Sequence, residues 1–330
     1  MGNIAVLGAG AWGTALANLA ARGGADVTLW AREPAHVAEM AATGVNARRL
    51  PGIPLHPAIT PTGDLAALKG AMIVLLAVPA QSLRRVAERA RPFIAEDVPV
   101  VVCAKGIERA TGLFMSDVIA EVLPNHPPAI LSGPSFAEDV ARGMPTAVTL
   151  AARHADGAEA LAAAFAAPWF RLYHSADIRG VEIGGAVKNV LAIASGIAAG
   201  RGLGQSAGAA LIARGFAEMT RFGMAYGADP GTLMGLAGLG DLVLTCSSTQ
   251  SRNYSFGFAL GQGMSVADAT AQAGTVEGAQ TCAILVDLAA RKGVDMPIAQ
   301  GVDAVLSGRT SVEAVITALL ARPAKAEAKL

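Results

Sequence analysis

In IGGAVKNVLAIASGIAAG, residues 183–200, Lys188 is the only ionisable side chain. A helix apolar on every face is read as buried. An unpaired ammonium is costly to bury, so this lysine must be paired, shifted in pKa or used to move a proton. The plain alternative is a snorkelling lysine, its stem packed and its head in water. Gly184 and Gly185, four and three positions earlier, share its helix face. Small residues there are expected to leave a notch through which another molecule reaches the ammonium.

A second group of residues is suited to holding a dinucleotide. Gly8-Ala9-Gly10-Ala11-Trp12-Gly13 follows an apolar run and opens a helical one. In that setting G-x-G-x-x-G is a dinucleotide fingerprint: Gly8 for the tight turn, Gly10 for approach to the pyrophosphate, Gly13 for close helix–strand packing. The helix N-terminus offers its N–H groups to the phosphate charge. The next apolar run ends Leu29-Trp30-Ala31-Arg32-Glu33. An acidic residue at such a strand end usually holds the ribose 2′-OH, and an arginine there accommodates a 2′-phosphate. Arg32, assisted by Arg48 and Arg49, therefore favours NADP with NAD tolerated, while Glu33 falls on the solvent side of the turn.

Three further clusters are too polar for their surroundings: Lys105-Gly106, Gly133-Pro134-Ser135, and Gly238-Leu239-Gly240-Asp241 followed by Ser251-Arg252-Asn253. Each has a plain reading, as a surface lysine, a turn, a helix cap or a solvated arginine. Together they supply what reduction of a phosphorylated ketone needs: an acid, donors for an anion and a fixed carboxylate. Arg252 and Asn253 open a helix, a natural seat for a phosphate.

These residues need elements to hold them. Apolar runs at 3–7, 26–30, 72–78, 98–103, 129–131 and 146–150 read as buried, parallel-type strands, with one more at 170–174. Helical patterns at 12–22, 34–43, 82–91 and 113–123 separate several of them, and another spans 158–166. That alternation predicts a doubly wound Rossmann-type domain. From about Ile178 helical periodicity takes over, at 180–199, 206–226, 230–237, 253–261, 266–273, 278–292, 297–307 and 312–320. Capping boxes are expected at Ser265/Asp268 and Thr310/Glu313, and Pro230 at a first helical position. The expected organisation is an α/β dinucleotide-binding domain over residues 1–179 and an all-α substrate domain over 180–330, with a fraying tail from Ala321.

Composition narrows the partners. Lys+Arg and Asp+Glu number 26 each, for a formal net charge of zero. With no basic stripe, nucleic acid and anionic membrane are not expected partners. Mean hydropathy is +0.45, but apolar windows such as 71–80 are broken by Pro79 and too short to span a bilayer. No basic segment precedes the first apolar run, so no signal peptide is expected. Cys103, Cys246 and Cys282 lie far apart and read as reduced thiols of a cytoplasmic protein. The five histidines form no H-x-x-x-H pattern, and no metal site is expected.

The segments GAGAWGTALA, AKGIE, LSGPSFAEDVARGMPTAV, GGAVKN, GLAGLGDLVLTC and SRN occur in that order between about residues 2 and 308. In this combination the chain resembles the bacterial NAD(P)-dependent glycerol-3-phosphate dehydrogenases. LSGPSFAE, and GLAGLGDLVLTC with SRN after it, are the specific parts; the glycine fingerprint is not. The resemblance implies reversible hydride transfer between nicotinamide C4 and C2 of dihydroxyacetone phosphate or sn-glycerol 3-phosphate. It implies a cytoplasmic homodimer that supplies glycerol phosphate for phospholipids. Lys188 corresponds to the acid/base, and Lys105 to a lysine that touches cofactor and substrate and polarises the carbonyl. Asp241 corresponds to the carboxylate that holds the catalytic ammonium. Gly133, Ser135, Asn189, Ser251, Arg252 and Asn253 correspond to substrate contacts. Ala137, Thr275 and Glu277 correspond to positions near the nicotinamide or its ribose, with Val276 the alternative if the alignment there is off by one; Ala11, Trp12, Arg32, Arg49 and Arg252 are further expected cofactor contacts. A β-hydroxyacid dehydrogenase of the same two-domain superfamily is the nearest rival, but it binds a carboxylate and is not expected to carry Gly240-Asp241 with Ser251-Arg252-Asn253. A non-catalytic NAD(P)-sensing protein is disfavoured by the intact Lys188, Lys105 and Asp241 set.

Overall fold

The computed structural model describes residues 2–165 and 167–323. Eight strands form one sheet: β1 (Asn3–Leu7), β2 (Asp26–Trp30), β3 (Ile59–Thr62), β4 (Ile73–Leu76), β5 (Val100–Val102), β6 (Pro128–Ser132), β7 (Thr146–Ala152) and β8 (Phe170–Ser175). Their order is β3-β2-β1-β4-β5-β6-β7-β8, so the winding reverses between β1 and β4. In open α/β sheets ligands bind at the carboxyl ends of the strands beside such a reversal. Helices on both faces bury β1, β4 and β5, which explains their unbroken apolar sequence.

Two features depart from expectation. β7 pairs antiparallel with β6, Ile130 opposite Ala151. The connection between them carries only the five-residue helix Ala137–Ala141, not a full crossover helix, so the chain turns back on itself. The other is β3, which was not expected as a strand. Its sequence, ITPT, is short and holds a proline, tolerated because β3 is an edge strand paired only with β2.

Three residues after β8 begins the helix Ile178–Gly200, capped by Asp177, whose carboxylate accepts from Gly180 N–H at 2.8 Å. The sheet thus hands over directly to the helical part. This helix is long and apolar enough to cross a bilayer by length and composition, contrary to the expectation of short windows only, yet it lies buried inside the protein. Helices Gly204–Ala225, Arg252–Gly261, Glu277–Arg291 and Pro297–Leu306 surround it. Its contact with Arg252–Gly261 is close: a Cβ on Gly257 would lie 2.1 Å from the Ile193 carbonyl oxygen. The helix expected over 230–237 stops at Met234, and Leu236–Gly240 forms a π-helical turn leading into the helix Asp241–Cys246.

Ser265 caps its helix as expected, accepting from Asp268 N–H at 3.1 Å, and Pro230 takes the first helical position behind Asp229. The cap expected at Thr310 falls instead on Ser311, which directly precedes the first helical residue and accepts from Ala314 N–H. Of the tail expected to fray, residues 324–330 lie outside the described residues.

Candidate active site

Lys188 lies on the central helix Ile178–Gly200 and is only 6 % exposed. Its Nζ donates to Asp241 Oδ1, and to Thr245 Oγ1 at 2.8 Å. Thr245, one helical turn beyond Asp241, returns its own proton to Asp241 Oδ1 at 3.2 Å. The second carboxylate oxygen of Asp241 accepts from Lys105 Nζ at 2.7 Å, and that ammonium also reaches the Gly133 carbonyl at 3.3 Å. One carboxylate, 1 % exposed, therefore anchors two lysines from separate parts of the chain. Thr245 escaped the sequence reading because 242–246 reads as an apolar run; its i+4 spacing from Asp241 was the available signal.

Burial sets the electrostatics. Desolvation lowers the Lys188 pKa, the Asp241 carboxylate pulls it back up, Lys105 lowers it further, and it comes to about 8. Burial alone would raise the Asp241 carboxyl, but the Lys105 and Lys188 ammonium groups outweigh that and hold it below its ordinary value. Two cations against one anion leave the cluster positive, which suits an anionic substrate.

The glycines before Lys188 do not form the expected notch. A Cβ on Gly184 would lie 2.3 Å from the Ala237 carbonyl oxygen, and one on Gly185 2.9 Å from Ser132 Oγ and 3.3 Å from Lys105 Cγ. The missing side chains admit the π-helical turn that carries Asp241 and the stem of Lys105. They build the cluster by letting these elements approach the central helix.

The other expected substrate residues cluster around this centre. Gly133 takes a φ of +149° at the end of β6, a conformation suited to glycine. Ser135 Oγ donates to the Gly133 carbonyl at 3.1 Å. Ser132 Oγ, unmarked by sequence, is buried without a hydrogen-bond partner among the described residues. Asn189 donates to the Lys105 carbonyl at 3.4 Å and accepts from Asn253 Nδ2 at 3.0 Å, while Asn253 Oδ1 accepts from Gly278 N–H at 2.9 Å. These amides brace Lys105 and two helix N-termini. Ser251 caps the helix Arg252–Gly261 through Tyr254 N–H at 3.2 Å. Arg252 is exposed in its first turn, and among the described residues no carboxylate lies within ion-pairing distance of it.

The glycine turn meets the demands of a dinucleotide. Gly8 has a φ of +117°, and a Cβ on Gly13 would lie 1.9 Å from the Gly8 carbonyl oxygen. A Cβ on Gly10 would meet nothing within 4 Å. Packing inside the protein therefore does not demand glycine at 10, whereas a phosphate approaching the backbone would. Gly10 precedes the helix Ala11–Arg22 without a side-chain cap, which leaves the first N–H groups, at Ala11 and Trp12, for an anion. Trp12 is partly buried, its Nε1 without a partner among the described residues. Arg32 and Arg49 are exposed and free of carboxylate partners among the described residues, while Arg48 is taken by Glu39 at 2.6 Å and Glu33 at 3.5 Å. Glu277 accepts from Ala80 N–H at 3.4 Å, just past β4; burial raises its pKa, which the Arg252 charge partly offsets. Thr275 is exposed, Val276 buried and Ala137 half-buried.

The family described as NAD-dependent glycerol-3-phosphate dehydrogenase N-terminus matches residues 3–158, and its C-terminal counterpart residues 177–317. The glycerol-3-phosphate dehydrogenase [NAD(P)+] of Beijerinckia indica is 67 % identical over 98 % of this chain and 97 % of its own length. That of Azorhizobium caulinodans is 61 % identical over 98 % of each. The crystal structure of glycerol-3-phosphate dehydrogenase from Coxiella burnetii superposes with a TM-score of 0.93 at 41 % identity, covering 97 % of this chain and 99 % of that one.

Proposed function

The chain belongs to the NAD-dependent glycerol-3-phosphate dehydrogenase family, and on that premise we propose which of its groups perform the reversible, NAD(P)-dependent reduction of dihydroxyacetone phosphate to sn-glycerol 3-phosphate. The nicotinamide, when bound, supplies or takes the hydride. Lys188 supplies the proton: its ammonium gives one to the oxygen on C2 in reduction, and the neutral amine takes it back in oxidation. Asp241 and Thr245 hold the amine in one orientation, and the carboxylate offsets the charge gained in oxidation. Lys105, on the other side of Asp241, polarises the carbonyl. Arg252 and the N-terminus of its helix take the phosphate, with Ser251 and Asn253 shaping that end. Gly133, Ser135 and Asn189 border the substrate. Gly8, Gly10, Ala11, Trp12 and Gly13 take the diphosphate, and Ala137, Thr275 or Val276, and Glu277 the nicotinamide side. The carrying observation is the buried Lys188–Asp241–Lys105 cluster at the carboxyl edge of the sheet.

With Arg32 and Arg49 free and Glu33 engaged by Arg48, we assign the 2′-phosphate to Arg32 and Arg49 and expect NADPH to be preferred over NADH. The domain boundary is placed at 179/180, and the enzyme is taken as a cytoplasmic source of glycerol phosphate for phospholipids. A homodimer is favoured by an apolar cavity of about 980 Å³ flanked by Gly204–Ala225 and Val312–Leu320, where Leu203 and Leu320 stand exposed. The activity is tested by following NADPH oxidation with dihydroxyacetone phosphate beside a panel of 2- and 3-keto acids. Dihydroxyacetone phosphate should turn over fastest; a faster keto acid would return the chain to the β-hydroxyacid reading.

A further inference from the structure

Asn46 is fully buried in the loop that follows the helix Pro34–Thr43. Its amide joins three segments: Nδ2 donates to the Ala9 carbonyl at 3.0 Å and to Thr14 Oγ1 at 2.7 Å, and Oδ1 faces His36 Nε2 at 2.8 Å. The Ala9 carbonyl only accepts, so the amide nitrogen must face the glycine turn. Oδ1 then accepts, and His36 must carry its proton on Nε2. The Asn46 carbonyl in turn accepts from Arg49 N–H at 3.2 Å and Leu50 N–H at 2.8 Å. One residue thus ties together the diphosphate turn, the helix that follows Arg32 and Glu33, and the turn that carries Arg48 and Arg49. A substitution at Asn46 would release the anchor that fixes this turn to the glycine turn and to His36, while its backbone carbonyl keeps its bonds to Arg49 and Leu50 N–H and the Lys188 cluster stays untouched.

We propose that Asn46 is a positioning residue for cofactor choice, holding Arg49 where it meets a 2′-phosphorylated ribose. This rests on the assignment of the 2′-phosphate to Arg32 and Arg49 made above. A well-placed charged contact of about 1.4 kcal/mol corresponds to a tenfold change in affinity. Asn46→Ala should therefore raise KM for NADPH about tenfold and KM for NADH no more than about threefold, with KM for dihydroxyacetone phosphate and kcat at saturating NADPH within about twofold of the parent. Thr14→Val releases one of the same bonds more gently and serves if Asn46→Ala does not fold; it should shift the NADPH/NADH ratio in the same direction, and Thr14→Ser should restore it. Equal rises for both cofactors, or a fall in thermal midpoint with an unchanged ratio, would overturn the proposal. Arg49→Ala in the same assay separates the layers. If it lowers NADPH preference and the Asn46 and Thr14 variants do not, only the role of Asn46 fails. If it leaves the ratio unchanged, the 2′-phosphate assignment fails and the role of Asn46 with it.

Discussion

A lysine ammonium in an apolar helix survives because a carboxylate meets it there, and that pairing also sets its proton affinity. Burial lowers the Lys188 pKa and Asp241 partly restores it, to about 8. Reduction needs the ammonium, so kcat/KM for dihydroxyacetone phosphate should fall as pH rises through about 8. Oxidation of glycerol 3-phosphate needs the neutral amine, and should rise over the same interval. Asp241→Asn removes the group that raises Lys188 and leaves Lys105 to depress it. Both profiles should then move to lower pH, with kcat down roughly 10²-fold or more; unmoved profiles would mean that Lys188 is not the titrating group. Arg252→Ala should chiefly raise KM for dihydroxyacetone phosphate, by about tenfold or more for a lost phosphate contact, and an unchanged KM would place the phosphate elsewhere. Lys188 was legible because charge is conspicuous in an apolar run. Thr245 and Ser132 were not conspicuous, since a lone hydroxyl among apolar residues stands out far less than a charge; the spacing of Thr245 from Asp241 was its one mark.

At the scale of elements, the site depends on how closely the backbone of the π-helical turn approaches the central helix. A Cβ at Gly184 would strike the Ala237 carbonyl, a backbone atom held by its own helix. Gly184→Ala should cost about 1–3 kcal/mol of stability by overpacking and lower kcat by displacing Asp241. Denaturant titration beside steady-state rates checks this, and a variant of parental stability would mean that the turn yields. Most helices and strands were readable from periodicity because each buries a face or both. The π-helical turn was hidden in an apolar run interrupted by glycines, β3 by its proline and its position at the sheet edge. The sense of β7 was hidden because direction depends on the connection rather than on the strand. The glycine pair illustrates a further limit: sequence reveals that side chains are missing, and only the fold reveals what takes their place.

On the scale of the whole molecule, sheet and helices form one continuous structure. Val181 on the central helix and Ala237 on the π-helical turn pack in the same core as Val74, Val102 and Ile130 of the sheet. Glu182 accepts from Ser116 N–H and Oγ at 2.6 and 2.8 Å, and Arg179 bridges to Asp117 at 3.0 Å while lying 4.1 Å from the Phe114 ring centroid. Thermal unfolding followed by far-UV ellipticity and tryptophan fluorescence should therefore give coincident, single transitions; two separated transitions would show that the parts fold independently.

Proton transfer by Lys188 is the step on which the proposed chemistry depends. Its most direct test is the turnover of dihydroxyacetone phosphate by Lys188→Ala, measured beside NADPH affinity from fluorescence titration. Turnover should fall by roughly 10³-fold or more with NADPH affinity close to that of the parent. A variant that keeps near-parental turnover would contradict the assignment.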